Sequence, residues 1–151
     1  MLRVAFVAFL ALLFSSCLSD PDCVITATSE VKIDFLKITP DSIRTDVSDT
    51  VILDSIRVSG TDSVFYVADT LSSVALPIHP GAYETTFYFY YPSDVDSIKF
   101  SYTHTTRVIS PACGAFTYFQ DLTLLLSTFS EVNITDDQLS TSTETNVKVK
   151  R

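Results

Sequence analysis

The 151 residues carry 18 Asp and Glu against 10 Lys and Arg, a formal net charge of −8 at pH 7. A nucleic-acid partner is excluded on this ground, because neutralising phosphates takes a basic patch and the chain shows none. Three glycines and six prolines exclude a collagen-like or low-complexity chain, and so acidic a surface is not drawn to anionic lipid.

Met1-Leu2-Arg3 is a short positive start, and Val4 to Phe14 is an unbroken apolar run. That run is about half the roughly 20 residues of a membrane-spanning helix and suits the apolar centre of a signal peptide. Ser15 and Ser16 are small residues directly before Cys17, the pattern that lipoprotein processing cuts, with Phe14 where Leu is usual. The expected organisation is a signal peptide over 1–16, a lipidated tether over 17–22 and a single β domain over 23–151. Acylated at Cys17, the protein would have the membrane as a partner through the lipid alone, each buried CH₂ adding about 0.8 kcal/mol. The expected location is the bacterial cell envelope, as an outer-membrane lipoprotein facing the periplasm or displayed at the surface.

With Cys17 taken by lipid, Cys23 and Cys113 remain, and an exported domain keeps its disulfides. A bridge between them is expected, with two buried thiols as the alternative. Closing a loop of about 90 residues is worth roughly 4–5 kcal/mol in the chain-entropy account.

Val31, Ile33 and Phe35 alternate with Lys32 and Asp34, which predicts a half-buried strand. Asp41 to Asp49 reads as a loop. A strand follows over Val51–Val58, then the turn signal Ser59-Gly60-Thr61-Asp62 and a partner strand over Val64–Val67. Val74–Ile78 is a short strand closed by His79-Pro80-Gly81. Thr85–Tyr91 is aromatic on both faces and stops at Pro92-Ser93-Asp94. Ile98, Phe100 and Tyr102 alternate with Lys99, Ser101 and Thr103 in the clearest strand of the chain. Phe116–Leu126 is a long β-prone run broken near Gln120-Asp121. Val132–Ile134 and Asn146–Lys150 complete the set, and Lys148, Lys150 and Arg151 read as a solvated tail. No stretch carries a helical stripe, so the predicted fold is all-β: an antiparallel β-sandwich of about seven to nine strands, with a small β-barrel as the alternative.

Chemistry-bearing residues are sparse. His79 sits between Ile78 and Pro80 in a turn, and His104 ends the strand that holds Tyr102. Neither belongs to a metal-binding or nucleophile motif, so no catalytic residue and no cofactor is expected. Asp94-Val95-Asp96 sets two carboxylates on one side of an extended loop, the kind of pair that calcium uses. Calcium takes six to eight oxygens, and the further acids and the glycine are missing. A solvated turn is the expectation there, with no metal. Tyr88 and Tyr90 lie opposite Phe87, Phe89 and Tyr91. If the phenylalanine face is core, the two tyrosines form an outward binding surface for a glycan or an envelope protein; a strand buried on both faces is the alternative.

Cys23 shortly after Cys17, Ile98-Lys99-Phe100-Ser101-Tyr102, Ser110-Pro111-Ala112-Cys113-Gly114 and the strand-like Val147-Lys148-Val149 together resemble a family of small uncharacterised lipoproteins of Bacteroidota. Pro111 and Ala115 depart from the basic and aromatic residues of its Ala-Cys-Gly step. The resemblance implies an envelope location and a disulfide, and it transfers no catalytic residue. The functional expectation is a non-enzymatic binding or accessory module of the envelope. An assembly lipoprotein of an outer-membrane complex is one alternative, and a small hydrolase built on His79 or His104 is another.

Overall fold

The computed structural model describes residues 23, 25–38, 46–61, 64–66 and 70–151. The expected leader, Cys17 and the tether up to Asp22 lie outside the described residues, as does part of the loop expected over Asp41–Asp49. Among the described residues there are eleven strands and no helix.

The first strand, β1 (Glu30–Leu36), forms on the expected alternation, with Val31, Ile33 and Phe35 buried and Lys32 and Asp34 half-buried. The next stretch departs from the single strand expected over Val51–Val58. It is two strands, β2 (Val51–Ile52) and β3 (Ser55–Val58). Leu53 turns into the core between them, and the Asp54 N–H is already bonded to the Tyr90 carbonyl of a different sheet. β3 forms the expected hairpin with β4 (Val64–Tyr66), Ser55 standing opposite Tyr66. β2 instead pairs with β5 (Thr70–Leu71), a two-residue strand without a periodicity of its own. The split and this short strand raise the count above the seven to nine expected.

β6 (Ser73–Pro77), β10 (Glu131–Ile134) and β11 (Val147–Lys150) join β1 in a four-stranded sheet of order β10-β11-β1-β6. β1 runs antiparallel to β6 but parallel to β11, with Ile33 opposite both Val74 and Val147. A wholly antiparallel arrangement is therefore corrected at one pair. Parallel neighbours need a long crossover, and here everything between β1 and β11 supplies it.

The second sheet has five antiparallel strands in the order β4-β3-β7-β8-β9, with β7 (Glu84–Tyr90), β8 (Val95–Ser110) and β9 (Gly114–Ser127). Phe87 and Phe89 of β7 and Ile98, Phe100 and Tyr102 of β8 turn inward beside Ile56 of β3. The two sheets meet through aromatic rings. Phe35 of β1 lies edge-on to Phe89 at 5.9 Å, and Phe129, just past β9, touches both at 6.5 and 5.4 Å. Edge-to-face contact suits the quadrupoles of aromatic rings. Neither sheet closes on itself, so the fold is a β-sandwich and not a barrel.

β8 and β9 outrun the sandwich. From Thr103 to Tyr118 no residue is buried, so this end of the hairpin stands clear of the core as a two-stranded arm. Its turn runs through Pro111–Cys113, where Ser110 Oγ accepts the Cys113 N–H at 3.0 Å and Gly114 takes φ 77°. The break expected near Gln120-Asp121 is a bulge in a continuous strand. Ser101 faces Thr123 and Thr103 faces Gln120, leaving an extra residue where Asp121 adopts φ 59°.

Candidate binding surface

β7 divides its aromatic residues as the outward-tyrosine expectation requires. Phe87 and Phe89 are fully buried and Tyr91 nearly so, while Tyr88 is 39% exposed and Tyr90 half-buried on the other face. Register places Tyr88 between Arg57 of β3 and Ser97 of β8, and Tyr90 between Ser55 and Val95. The Arg57 guanidinium lies 5.4 Å from the centre of the Tyr90 ring. Further along the same face Lys99 is paired with Glu84, and Leu126 opposite Lys99 is 69% exposed. The face thus offers apolar rings, a guanidinium fork and scattered hydroxyls. Such a platform can stack on a ring and hydrogen-bond a planar or hydroxylated group.

Asp94 and Asp96 do converge, but on a cation that the chain itself provides. Arg151 Nε meets Asp96 Oδ2 at 2.8 Å, and its Nη2 meets Asp94 Oδ2 at 3.1 Å. Thr128 donates to the other Asp96 oxygen at 3.0 Å. The weak calcium candidate therefore becomes an ion-pair knot, and among the described residues no three His, Cys, Asp or Glu side chains gather around a metal-sized space. The same observation corrects the solvated tail. Val147 and Val149 anchor β11 in the core, which sets Lys148 against Asp46 at 2.8 Å and Lys150 against Glu131 at 2.9 Å. Hydrogen bonding to Lys148 holds the Asp46 carboxyl below its ordinary pKa. Arg151 also lies 3.7 Å from the centre of the Tyr91 ring. The Tyr91 hydroxyl is buried without a hydrogen-bond partner, and burial, reinforced by Asp96, pushes its pKa up to about 12.

Both histidines are held by structural contacts. The His79 N–H bonds to Thr85 Oγ1 at 3.0 Å and its carbonyl accepts from the Tyr102 hydroxyl at 2.7 Å. Thr85 Oγ1 and the Tyr102 hydroxyl are 2.8 Å apart, which closes a buried ring of hydrogen bonds. Burial raises the Tyr102 pKa. The His79 ring accepts the Gly81 N–H at 3.2 Å through Nδ1 and packs on Gly60, where a Cβ would come within 3.3 Å of it. His104 is stacked on Tyr83 at 4.9 Å and tilted against Phe119 at 5.9 Å, with Nδ1 buried and unpartnered. Among the described residues neither ring is hydrogen-bonded or ion-paired to a carboxylate.

Cys23 and Cys113 form a disulfide with Cα atoms 5.7 Å apart, inside the range of roughly 4.4–6.8 Å that a bridge needs. The buried-thiol alternative is thereby set aside. Cys17 lies outside the described residues.

Two features escaped the sequence reading. Asn146 is buried, with Oδ1 accepting the Lys32 N–H and Nδ2 donating to the carbonyls of Asp136 and Gln138. It ties β1 to a loop that walls a cleft of about 280 Å³, lined among others by Arg107, Tyr118, Gln120 and Gln138. The Arg107 guanidinium lies 5.5 Å from the Tyr118 ring centre. No local pattern announces either feature, because each joins residues far apart in the chain.

Residues 50–150, from the threshold of β2 to the end of β11, match a family of unknown function, DUF6452. The chain belongs to this family. No curated protein and no solved structure matches it. The DUF6452 match takes in the whole five-stranded sheet, Tyr88, Tyr90, Asn146 and Cys113. It leaves out β1 and Cys23, so the disulfide joins the DUF6452 region to the segment that precedes it.

Proposed function

We propose that this DUF6452 member is a lipid-anchored protein of the bacterial cell envelope. In this reading it is an outer-membrane lipoprotein that works as a non-enzymatic binding or accessory module. The observation that carries the reading is the disulfide. It occupies Cys23 and Cys113, leaving Cys17 as the third cysteine, directly behind Ser15-Ser16 and the apolar run. A lasting disulfide also belongs to an exported compartment. The resemblance to Bacteroidota lipoproteins is finer than the family match and stands as part of the proposal. On the sandwich, Tyr88, Tyr90 and Arg57 are the surface offered to a partner, a glycan or an envelope protein.

Two measurements on one strain test this. Cells grown with a palmitate analogue should label the native protein and leave Cys17→Ala unlabelled and unprocessed. Labelling of the Cys17→Ala protein would sink the anchor. Envelope material that co-purifies with the native protein should be lost when Tyr88→Ala and Arg57→Ala are combined, with the melting temperature little changed. Retention by that folded variant would move the binding surface elsewhere.

A further inference from the structure

The β8–β9 arm differs in charge from the rest of the chain. Between Asp96 and Asp121 there is no Asp or Glu, although the whole chain has 18. Lys99, His104 and Arg107 fall inside that stretch. At the end of the arm Val108 is 76% exposed and Ile109 48%, with Pro111 and Ala112 also exposed in the turn. The tip is therefore apolar and free of negative charge, on a domain that is otherwise strongly acidic.

The disulfide fixes where this tip can be. Cys113 sits in the turn and is bonded to Cys23. Cys23 is six residues from Cys17, and six residues of fully extended chain span at most about 22 Å. An acyl group on Cys17 would thus hold Cys23 within that distance of the bilayer, and the turn at Cys113, 5.7 Å further on, within about 28 Å, whatever path the tether takes. The arm itself, eight residues from Thr103 to Ser110, is about 24 Å long. The acidic body, repelled by anionic headgroups within a Debye length of roughly 8–10 Å, is kept away on the other side of it.

We infer that the tip of the β8–β9 arm, Val108 and Ile109 with Pro111 and Ala112, rests in the interfacial layer of a phospholipid bilayer beside the lipid anchor. The inference builds on the lipoprotein reading of Cys17. Contact by the tip sets the sandwich upright on the membrane and turns the Tyr88 face sideways, where a neighbouring envelope component can reach it.

The chain contains no tryptophan, so Ile109→Trp supplies a single tryptophan that can be excited apart from the seven tyrosines, and Leu126→Trp, at the far end of β9, a control. The full-length protein, purified from envelopes with its lipid, is reconstituted into vesicles of phosphatidylethanolamine and phosphatidylglycerol. Tryptophan at 109 should emit further to the blue than in detergent-free buffer and lose most of its emission to doxyl-labelled lipid; tryptophan at 126 should do neither. Val108→Trp repeats the reading if the first variant folds poorly. Palmitate-analogue labelling of the same preparation reads the anchor separately. Label without quenching at either tip position overturns the arm's placement alone, and absence of label overturns the anchor and the placement with it. A blue shift that grows with protein concentration in the absence of vesicles would put a second copy on the tip and also overturn the proposal.

Discussion

Tyr91 shows how one buried group couples stability to pH. Its hydroxyl has no partner and its ring lies under Arg151, so ionisation would place a negative charge in a site that burial disfavours. Burial, with Asp96 adding to it, raises the folded pKa to about 12, whereas an unfolded tyrosine ionises near 10. Between those values the unfolded chain releases a proton that the folded chain keeps. The stabilisation is therefore full below about pH 10 and is lost as the pH rises through about 12. Tyr91→Phe should flatten that alkaline decline and be neutral or stabilising by up to about 2 kcal/mol at pH 7, because it removes a buried polar group that has no hydrogen bond. Urea melts at pH 7 and pH 11 measure both effects. Tyr102 is raised as well but keeps its bonds to Thr85 and His79, so part of the decline should persist in the variant. A phenylalanine variant weaker than the native protein at pH 7 would mean that the hydroxyl has a partner after all. At this scale the sequence was half-readable. Asp94 and Asp96 stood out as a pair, but their cation comes from Arg151, 55 residues beyond Asp96, and no spacing rule reaches that far.

At the scale of elements, legibility followed the period of two. β1, β11 and the Ile98–Tyr102 part of β8 place a hydrophobic residue at every second position, and side chains of a strand alternate faces, so their buried sets could be read directly from the sequence, whereas β7 is aromatic on both faces and left its buried face open. Val51-Ile52-Leu53 is apolar without alternation, and nothing local marks the point where Leu53 turns the chain from the β2–β5 ribbon into the larger sheet. Partner choice was hidden for the same reason. β1 shows which of its faces is buried, not that β11 will lie parallel beside it. The bulge in β9 is an intermediate case, since its position was legible near Gln120-Asp121 and its form was not. Asp121 tolerates φ 59° as Asp and Asn commonly do, and its carboxylate accepts the Thr103 hydroxyl at 2.6 Å. Asp121→Asn should therefore leave stability nearly unchanged. Asp121→Val puts a β-branched side chain into a left-handed backbone and should cost about 1–2 kcal/mol. Thermal unfolding of the two variants decides it, and equal melting temperatures would place the strain elsewhere in the strand.

For the molecule as a whole, the disulfide links the start of the described chain to the end of its longest hairpin, across 90 residues of sequence. From residue 25 to β1 the chain is held by the Ala27–Ser140 bridge, the Thr141 N–H bonded to the Thr26 carbonyl and the Ile78 N–H bonded to the Ser29 carbonyl. The arm that carries Cys113 has no fully buried residue between Thr103 and Tyr118. Neither segment is therefore fixed by a core of its own, and the bond stabilises chiefly by restricting the unfolded chain. The chain-entropy account gives about 4–5 kcal/mol for such a loop, within the roughly 2–5 kcal/mol that loss of a native bridge costs in small exported domains. Cys23→Ser, Cys113→Ser and the double variant should lose the same amount, since each opens the same single loop and their effects cannot add. The reduced native protein should join them. Denaturant melts with and without reductant measure the four states, and the slope against denaturant should rise when the bridge is open because the unfolded chain then exposes more surface. Core burial in both sheets should survive, because Phe35, Phe89 and Phe129 pack without help from either cysteine. If Cys113→Ser proved much more damaging than Cys23→Ser, the turn around Cys113 would be contributing native contacts of its own, and the loop-closure account would give way to a local one.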